Sequence, residues 1–123
     1  MTPEQITKLA ANEIFVFGSN TAGRHGAGAA RQASLQFGAQ YGVGEGLTGQ
    51  CFAFPTLDER LMRLSRADLV GSVMLLYDCC NRHPDKLFLL TKVGCGLAGY
   101  PEEYMRSLFI DPPENLILPE DWR

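Results

Sequence analysis

The chain has little of what marks several large protein classes. Basic residues are few and dispersed: 11 Lys and Arg stand against 14 Asp and Glu, giving a net charge of −3. A nucleic-acid groove needs clustered Lys and Arg to neutralise phosphates, so this balance argues against one. It does not exclude a small anion, which backbone N–H groups can hold without any lysine. No apolar run approaches the ~20 residues that cross a bilayer. The opening "MTPEQITKLAANE" carries no apolar signal core, so the cytoplasm is the expected location. Thr2 as N-cap, Pro3 in the first turn and Gln5 completing a capping box predict a surface helix there.

Cysteine is also sparse. The 4 cysteines, Cys51, Cys79, Cys80 and Cys95, form no C-x-x-C pair. His83 follows Cys80 at a ligand-like spacing, but no second pair completes a four-ligand set, so no metal is expected. Cys79 and Cys80 end an apolar helical pattern and read as buried thiols, which suits a reducing compartment. Linkers, repeats and low-complexity segments are lacking too. The 123 residues therefore read as one domain, 1–123, large enough for its own core.

What is present is an alternation. "EIFVF" (13–17), "CFAFP" (51–55), "KLFLLTKV" (86–93) and "NLIL" (115–118) are short apolar runs that predict strands. Between them, helices are predicted from about Gly26 to Phe37, over 57–64, after Ser65, and from Pro101 to about Phe109. Thr56 with Glu59, and Ser65 with Asp68, form capping boxes. In the helix after Ser65, the residues Leu69, Val70, Val73, Met74, Leu76, Tyr77 and Cys80 make one apolar face, and Pro84 closes the region. Strand–helix alternation of this kind predicts an α/β fold with a mostly parallel sheet covered by helices on both faces. Ligands bind such sheets beyond the carboxyl ends of the strands. Two glycine-dense loops, 18–28 and 94–100, each directly follow a predicted strand.

Neither loop fits the commonest phosphate motifs. Gly18 and Gly23 have P-loop spacing, but Arg24 and His25 stand where Lys and Ser/Thr are required. G-x-G-x-x-G occurs as "GEGLTG" (44–49), after no convincing strand, and as "GCGLAG" (94–99), in the last strand–helix unit. A dinucleotide fold needs more units than follow it.

Taken together, "IFVFGSN", "GRHGAGAARQA", "GEGLTGQCFAFPT" and "FLLTKVGCGLAGYPEEYMRSLF" resemble the macro domain, the ADP-ribose-binding α/β module. The likeness spans about residues 13–122 and is nearest to short macro-domain-like proteins of phages and prophages. It implies a three-layer α/β/α fold shortened at its N-terminus, with the four predicted strands in the order 4-3-1-2. The two glycine loops would then face each other across one cleft. From the first loop, the ligand-binding residues it implies are Gly18, Ser19, Asn20 and Thr21, then Arg24, His25, Gly26, Ala27 and Gly28. From the second they are Gly94, Cys95, Gly96, Leu97, Ala98, Gly99 and Tyr100. Asn20 would face the distal ribose.

The chain departs from the family where chemistry is done. Ala27 occupies the place of an aspartate that helps activate water in one hydrolytic branch. Ala98 occupies that of the acid after "GCGL" in the DNA-directed branch, and Asp58 lies roughly where that branch has a lysine. The paired glutamates of the poly-ADP-ribose glycohydrolase branch are absent from the first loop. The usual adenine-reading aspartate is missing as well; the only nearby acid, Glu13, precedes its strand. A methyl group can neither accept a proton nor form a covalent intermediate.

Other residues offer alternatives. His25 could act as a base, orient the loop or bond a phosphate. Cys95, near a helix start, could have a lowered pKa and pair with His25, or simply be small enough for a tight loop. Lys92 could meet phosphate or solvent, and Arg24 could clamp phosphate or lie on the surface. Glu45 could be a base or a solvated turn residue. Asn20 could bond the ribose or close an Asx turn. Tyr100 could stack on the ligand or pack at the helix entry.

The resulting expectation is a module that binds ADP-ribose or a related adenine-dinucleotide signal and sequesters it, with no cofactor and no assigned catalytic residue. The alternatives are a glycohydrolase that removes ADP-ribose from protein or nucleic acid, and a structural partner protein whose cleft stays empty.

Overall fold

A computed structural model describes residues 8–26 and 28–123. The predicted caps Thr2, Pro3 and Gln5 lie outside the described residues, and Lys8–Asn12 forms no helix. The elements run β1 (Glu13–Asn20), α1 (Gly28–Gln36), β2 (Gly46–Thr48), β3 (Cys51–Leu57), α2 (Arg66–Arg82), β4 (Leu87–Leu90), α3 (Glu102–Arg106) and β5 (Leu116–Ile117). A 3-10 turn, Glu120–Trp122, follows. The result is a mixed α/β protein with a five-stranded sheet of order β2-β3-β1-β4-β5. β1 pairs parallel with both β3 and β4, and β4 pairs parallel with β5. The four strands legible as apolar runs thus stand in the expected order.

β1 is central, and its alternation divides the core. Ile14 and Val16 join Phe52, Phe54, Phe88 and Leu90 with Leu69, Val73, Leu76 and Cys80 of α2. Phe15 and Phe17 join a second cluster with Cys51, Ala53 and Ala33 of α1. A strand with apolar side chains on both faces needs cover on both, which explains why "IFVF" does not alternate with polar residues. Phe15, Phe17, Phe54 and Phe88 are among the largest fully buried side chains. Each contributes about 1.5–3 kcal/mol by leaving water.

Several local expectations are corrected. β2 was not foreseen: it pairs antiparallel with β3, setting Leu47 against Phe52. The helix expected over 57–64 does not form. Thr56 stays in β3, and Asp58 Oδ1 accepts from the Arg60 and Met62 amides at 2.8 and 2.9 Å. Leu57 then bridges antiparallel to Arg63, so the segment folds back as a turn, with Leu61 at φ 62°. The aspartate side chain captured the amides that a helix would have used.

Ser65 does cap α2, its Oγ accepting from the Asp68 amide at 3.2 Å. The buried stripe of α2 is narrower than expected, because Val70 and Met74 are exposed. Cys80 is buried, whereas Cys79 is only partly so. α1, β4 and β5 are each shorter than their expected spans. α3 ends at Arg106 instead of near Phe109, where the Ser107 hydroxyl donates to the Tyr104 carbonyl at 2.6 Å. That bond competes with helix continuation.

Candidate functional site

The parallel pairing brings the carboxyl ends of β1, β3 and β4 side by side, and a cleft of about 590 Å³ lies over them. That is within the roughly 300–1,000 Å³ of small-molecule sites. From the first glycine loop it is lined by Gly18, Ser19, Asn20, Arg24, Gly26 and Gly28. From the second it is lined by Gly94, Cys95, Gly96, Leu97 and Ala98. Two loops more than 65 residues apart in sequence thus share one space, because strands β1 and β4 are neighbours.

Their approach is close. A Cβ built on Gly18 would stand 3.3 Å from the Gly94 nitrogen. Gly94 itself has φ +79°, and a Cβ there would come within 3.0 Å of the Tyr100 ring. An L side chain at Gly94 would be strained in conformation and crowded by packing.

The loop amides are the main polar resource. Within 93–100, Val93, Cys95, Gly99 and Tyr100 donate to neighbouring carbonyls. The amides of Gly94, Gly96, Leu97 and Ala98 find no acceptor among the described residues. The first amides of α1 at Gly28, Ala29 and Ala30 lack intrahelical acceptors by helix geometry, and all three residues line the cleft. Unpaired amides beside a helix N-terminus favour an anion.

Asn20 has a definite structural task. Its Oδ1 accepts from the Arg24 amide at 3.1 Å, and its Nδ2 donates to the Arg24 carbonyl at 3.0 Å. The carboxamide closes the loop, as the Asx alternative anticipated, while the residue also lines the cleft. The Arg24 guanidinium makes no ion pair among the described residues. Ser19 lines the cleft, but its hydroxyl donates to the Gly44 carbonyl and ties residues 38–50 to the end of β1.

Four expected residues are not on the cleft wall. Thr21 is exposed, and its hydroxyl donates to Glu59. His25 is buried with its ring edge-on to Phe17, centroids 5.2 Å apart, and neither ring nitrogen has a partner among the described residues. Gly99 holds the Arg63 guanidinium through its carbonyl. Tyr100 is buried, and its hydroxyl donates to the carbonyls of Thr56 and Leu64, both at 3.0 Å. It is a staple beneath the second loop, its ring buried and in contact with the Arg63 guanidinium and the stacked Tyr104 ring. Ala27 lies outside the described residues.

The Cys95–His25 pair does not form, since His25 packs away from the cleft against Phe17. The Cys95 thiol is pushed up rather than down, first by burial and then by the nearby Glu102 carboxylate, against the opposing charge of Lys92. The short helix that follows does not offset the loss of water. Lys92 lines the cleft but is engaged by Asp121 at 2.8 Å and Glu102 at 3.1 Å, which raise its pKa. Glu45 is exposed and is not a lining residue.

Reasoning from sequence missed Ala29, Ala30, Thr56, Leu57, Leu61, Thr91, Val93 and Glu102 as lining residues. Thr56 and Thr91 could have been found, since both stand at or just past the carboxyl ends of strands. Leu61 could not, because its turn was read as helix. Among the described residues, no three His, Cys, Asp or Glu side chains are grouped as a metal site requires. No described helix is long and apolar enough to cross a membrane.

Fold and site together define an α/β protein with a glycine-walled cleft of about 590 Å³ at the carboxyl ends of its parallel strands. Compared with family models, curated proteins and solved structures, the chain matches none.

Proposed function

We propose that this chain binds ADP-ribose, or a related adenine-dinucleotide signal, in the cleft between residues 18–28 and 94–100, and acts by holding that ligand. The macro-domain-like three-layer arrangement, a place in the cytoplasm and a phage-type sequestering role belong to the same proposal. The observation that carries it is the meeting of two glycine loops at Gly18 and Gly94 over one cleft. Glycines there admit a pyrophosphate close to the backbone, and the unpaired amides of Gly94, Gly96, Leu97 and Ala98 supply donors without lysine. Arg24 adds a cation that no described carboxylate neutralises.

Binding is favoured over hydrolysis because the cleft residues that the sequence offered for chemistry are occupied or unsuited. The Cys95 thiol is pushed up, Lys92 is held by two carboxylates, and Ala98 has no acid to offer. The test is a thermal-unfolding titration with ADP-ribose, NAD and cyclic ADP-ribose isomers, followed by mass analysis of the ligand. A ligand at 100 times its Kd adds about 2.7 kcal/mol to stability. A raised Tm with unchanged ligand supports the proposal. No rise with any of these ligands overturns it.

A further inference from the structure

One part of the cleft wall carries charge that the loop amides do not account for. Lys92 and Glu102, the latter at the first position of α3, both line the cleft. Lys92 Nζ lies 3.1 Å from Glu102 Oε1 and donates to Asp121 Oδ2 at 2.8 Å. Trp122 Nε1 donates to the same Glu102 Oε1 at 3.3 Å. Trp122 is only 3% exposed and packs on Phe109, so this donor is anchored in the core. Both contacts to Glu102 fall on one oxygen. Its Oε2 has no partner among the described residues, and the side chain is 51% exposed, so this oxygen is open to solvent or to a ligand.

Two consequences follow from the charges. On the wall itself the charges of Lys92 and Glu102 cancel, and Asp121, which does not line the cleft, also engages the lysine, so this wall offers a phosphate no net positive charge. Arg24, in contrast, has no described carboxylate beside it. The anionic part of a ligand therefore belongs with Arg24 and the loop amides. A ligand group that donates is the one the free oxygen of Glu102 favours. The field of this carboxylate reaches the cleft, since it is among the causes that raise the Cys95 thiol.

We propose that Glu102 Oε2 accepts a hydrogen bond from a hydroxyl or amino group of the bound ligand. The cleft thereby selects molecules with a donor at a place where others carry phosphate. This inference rests on the ADP-ribose reading of the same cleft. In ADP-ribose the donor is a ribose hydroxyl or the adenine amine. Either one facing a carboxylate whose other oxygen is held by Lys92 and Trp122 makes a charge-assisted bond.

The test is calorimetric titration of the wild type, E102Q and D121N with three probes: ADP-ribose, ADP, which lacks the distal ribose, and inosine-diphosphate-ribose, which lacks the adenine amine. E102Q is expected to bind ADP-ribose about tenfold or more weakly, the size of a lost charge-assisted hydrogen bond. D121N, which loosens Lys92 but leaves Glu102, is expected to stay within about threefold. The source of the donor shows as non-additivity. If it is the distal ribose, ADP binding is insensitive to E102Q; if it is the amine, binding of the inosine analogue is insensitive. If E102Q weakens all three probes while D121N weakens none, the donor is a hydroxyl of the adenosine ribose. Unchanged ADP-ribose binding by E102Q overturns the inference alone. Equal losses in E102Q and D121N for every probe also overturn it, in favour of a merely structural ion pair. A wild type that binds none of the probes overturns the ADP-ribose reading, and this inference with it.

Discussion

Asn20 closes on Arg24 from both sides of the peptide backbone. One carboxamide oxygen takes the Arg24 amide at 3.1 Å, and one carboxamide nitrogen reaches the Arg24 carbonyl at 3.0 Å. The last residue of β1 thus fixes the turn that carries Arg24 to the cleft wall. Asn20→Ala is expected to lose about 1–3 kcal/mol, the yield of two partly buried hydrogen bonds, read from urea unfolding. Asn20→Asp keeps the acceptor and loses the donor, so it should fall between the two. A full-strength Asn20→Ala fold would contradict the clasp.

Glycines of the second loop should separate stability from binding. Gly94 has φ +79° and a Tyr100 ring carbon 3.0 Å from any Cβ, so Gly94→Ala should cost at least about 1–2 kcal/mol. Gly96 has open space around a Cβ and no left-handed φ. Gly96→Ala should leave stability within about 0.5 kcal/mol while weakening ADP-ribose binding, because it puts a methyl on the cleft wall. Paired denaturation and calorimetry on the two variants check this.

Arg63 couples the 58–64 turn to the second glycine loop. Its Nε donates to Ala98 O at 2.9 Å and its Nη2 to Gly99 O at 2.7 Å, with the guanidinium carbon 5.0 Å from the Tyr100 ring centre. Lysine has neither the fork nor the planar face. Both Arg63→Ala and Arg63→Lys should therefore accelerate amide hydrogen exchange at Gly99 and Tyr100, with little change in the middle of α2. Unchanged exchange would mean that the loop holds its shape alone.

Two buried thiols set an alkaline limit. Burial pushes Cys51 and Cys80 each up to about 12. An acid group whose folded pKa is raised binds its proton more tightly in the folded state, so stability is fully present below the unfolded value. It is then lost as pH rises from about 9 towards 12, at up to about 1.4 kcal/mol per pH unit per thiol. Urea midpoints at pH 8, 9 and 10 should fall steadily above 9. Cys51→Ala should be less stable throughout but show a shallower fall. A flat profile to pH 10 would contradict the assignment.

The parts of this molecule that could be read in advance are local. "IFVF" and "FLL" read as strands because their apolar runs cannot sit on an exposed face, and Ser65 announced α2 because its cap reaches only to Asp68. The two glycine loops were visible for the same reason. What was not legible depends on distant partners. β2 exists because Cys51–Ala53 offers it an edge. The T-L-D-E pattern at 56–59 looked like a helix start, but Thr56 was already committed to the sheet and Asp58 took the amides. Tyr100 looked available to a ligand until Thr56 and Leu64 claimed its hydroxyl. Glu102 became part of the cleft wall only through Lys92 and the buried Trp122.

The most direct test of the central claim is an amide NMR titration of the labelled protein with ADP-ribose. The account predicts saturable shifts concentrated at Gly26, Gly28, Gly94, Gly96, Leu97 and Ala98, the backbone on the two sides of the cleft. No shift at millimolar ligand, or shifts confined to the exposed side of α2 around Met74 and Leu75, would contradict it.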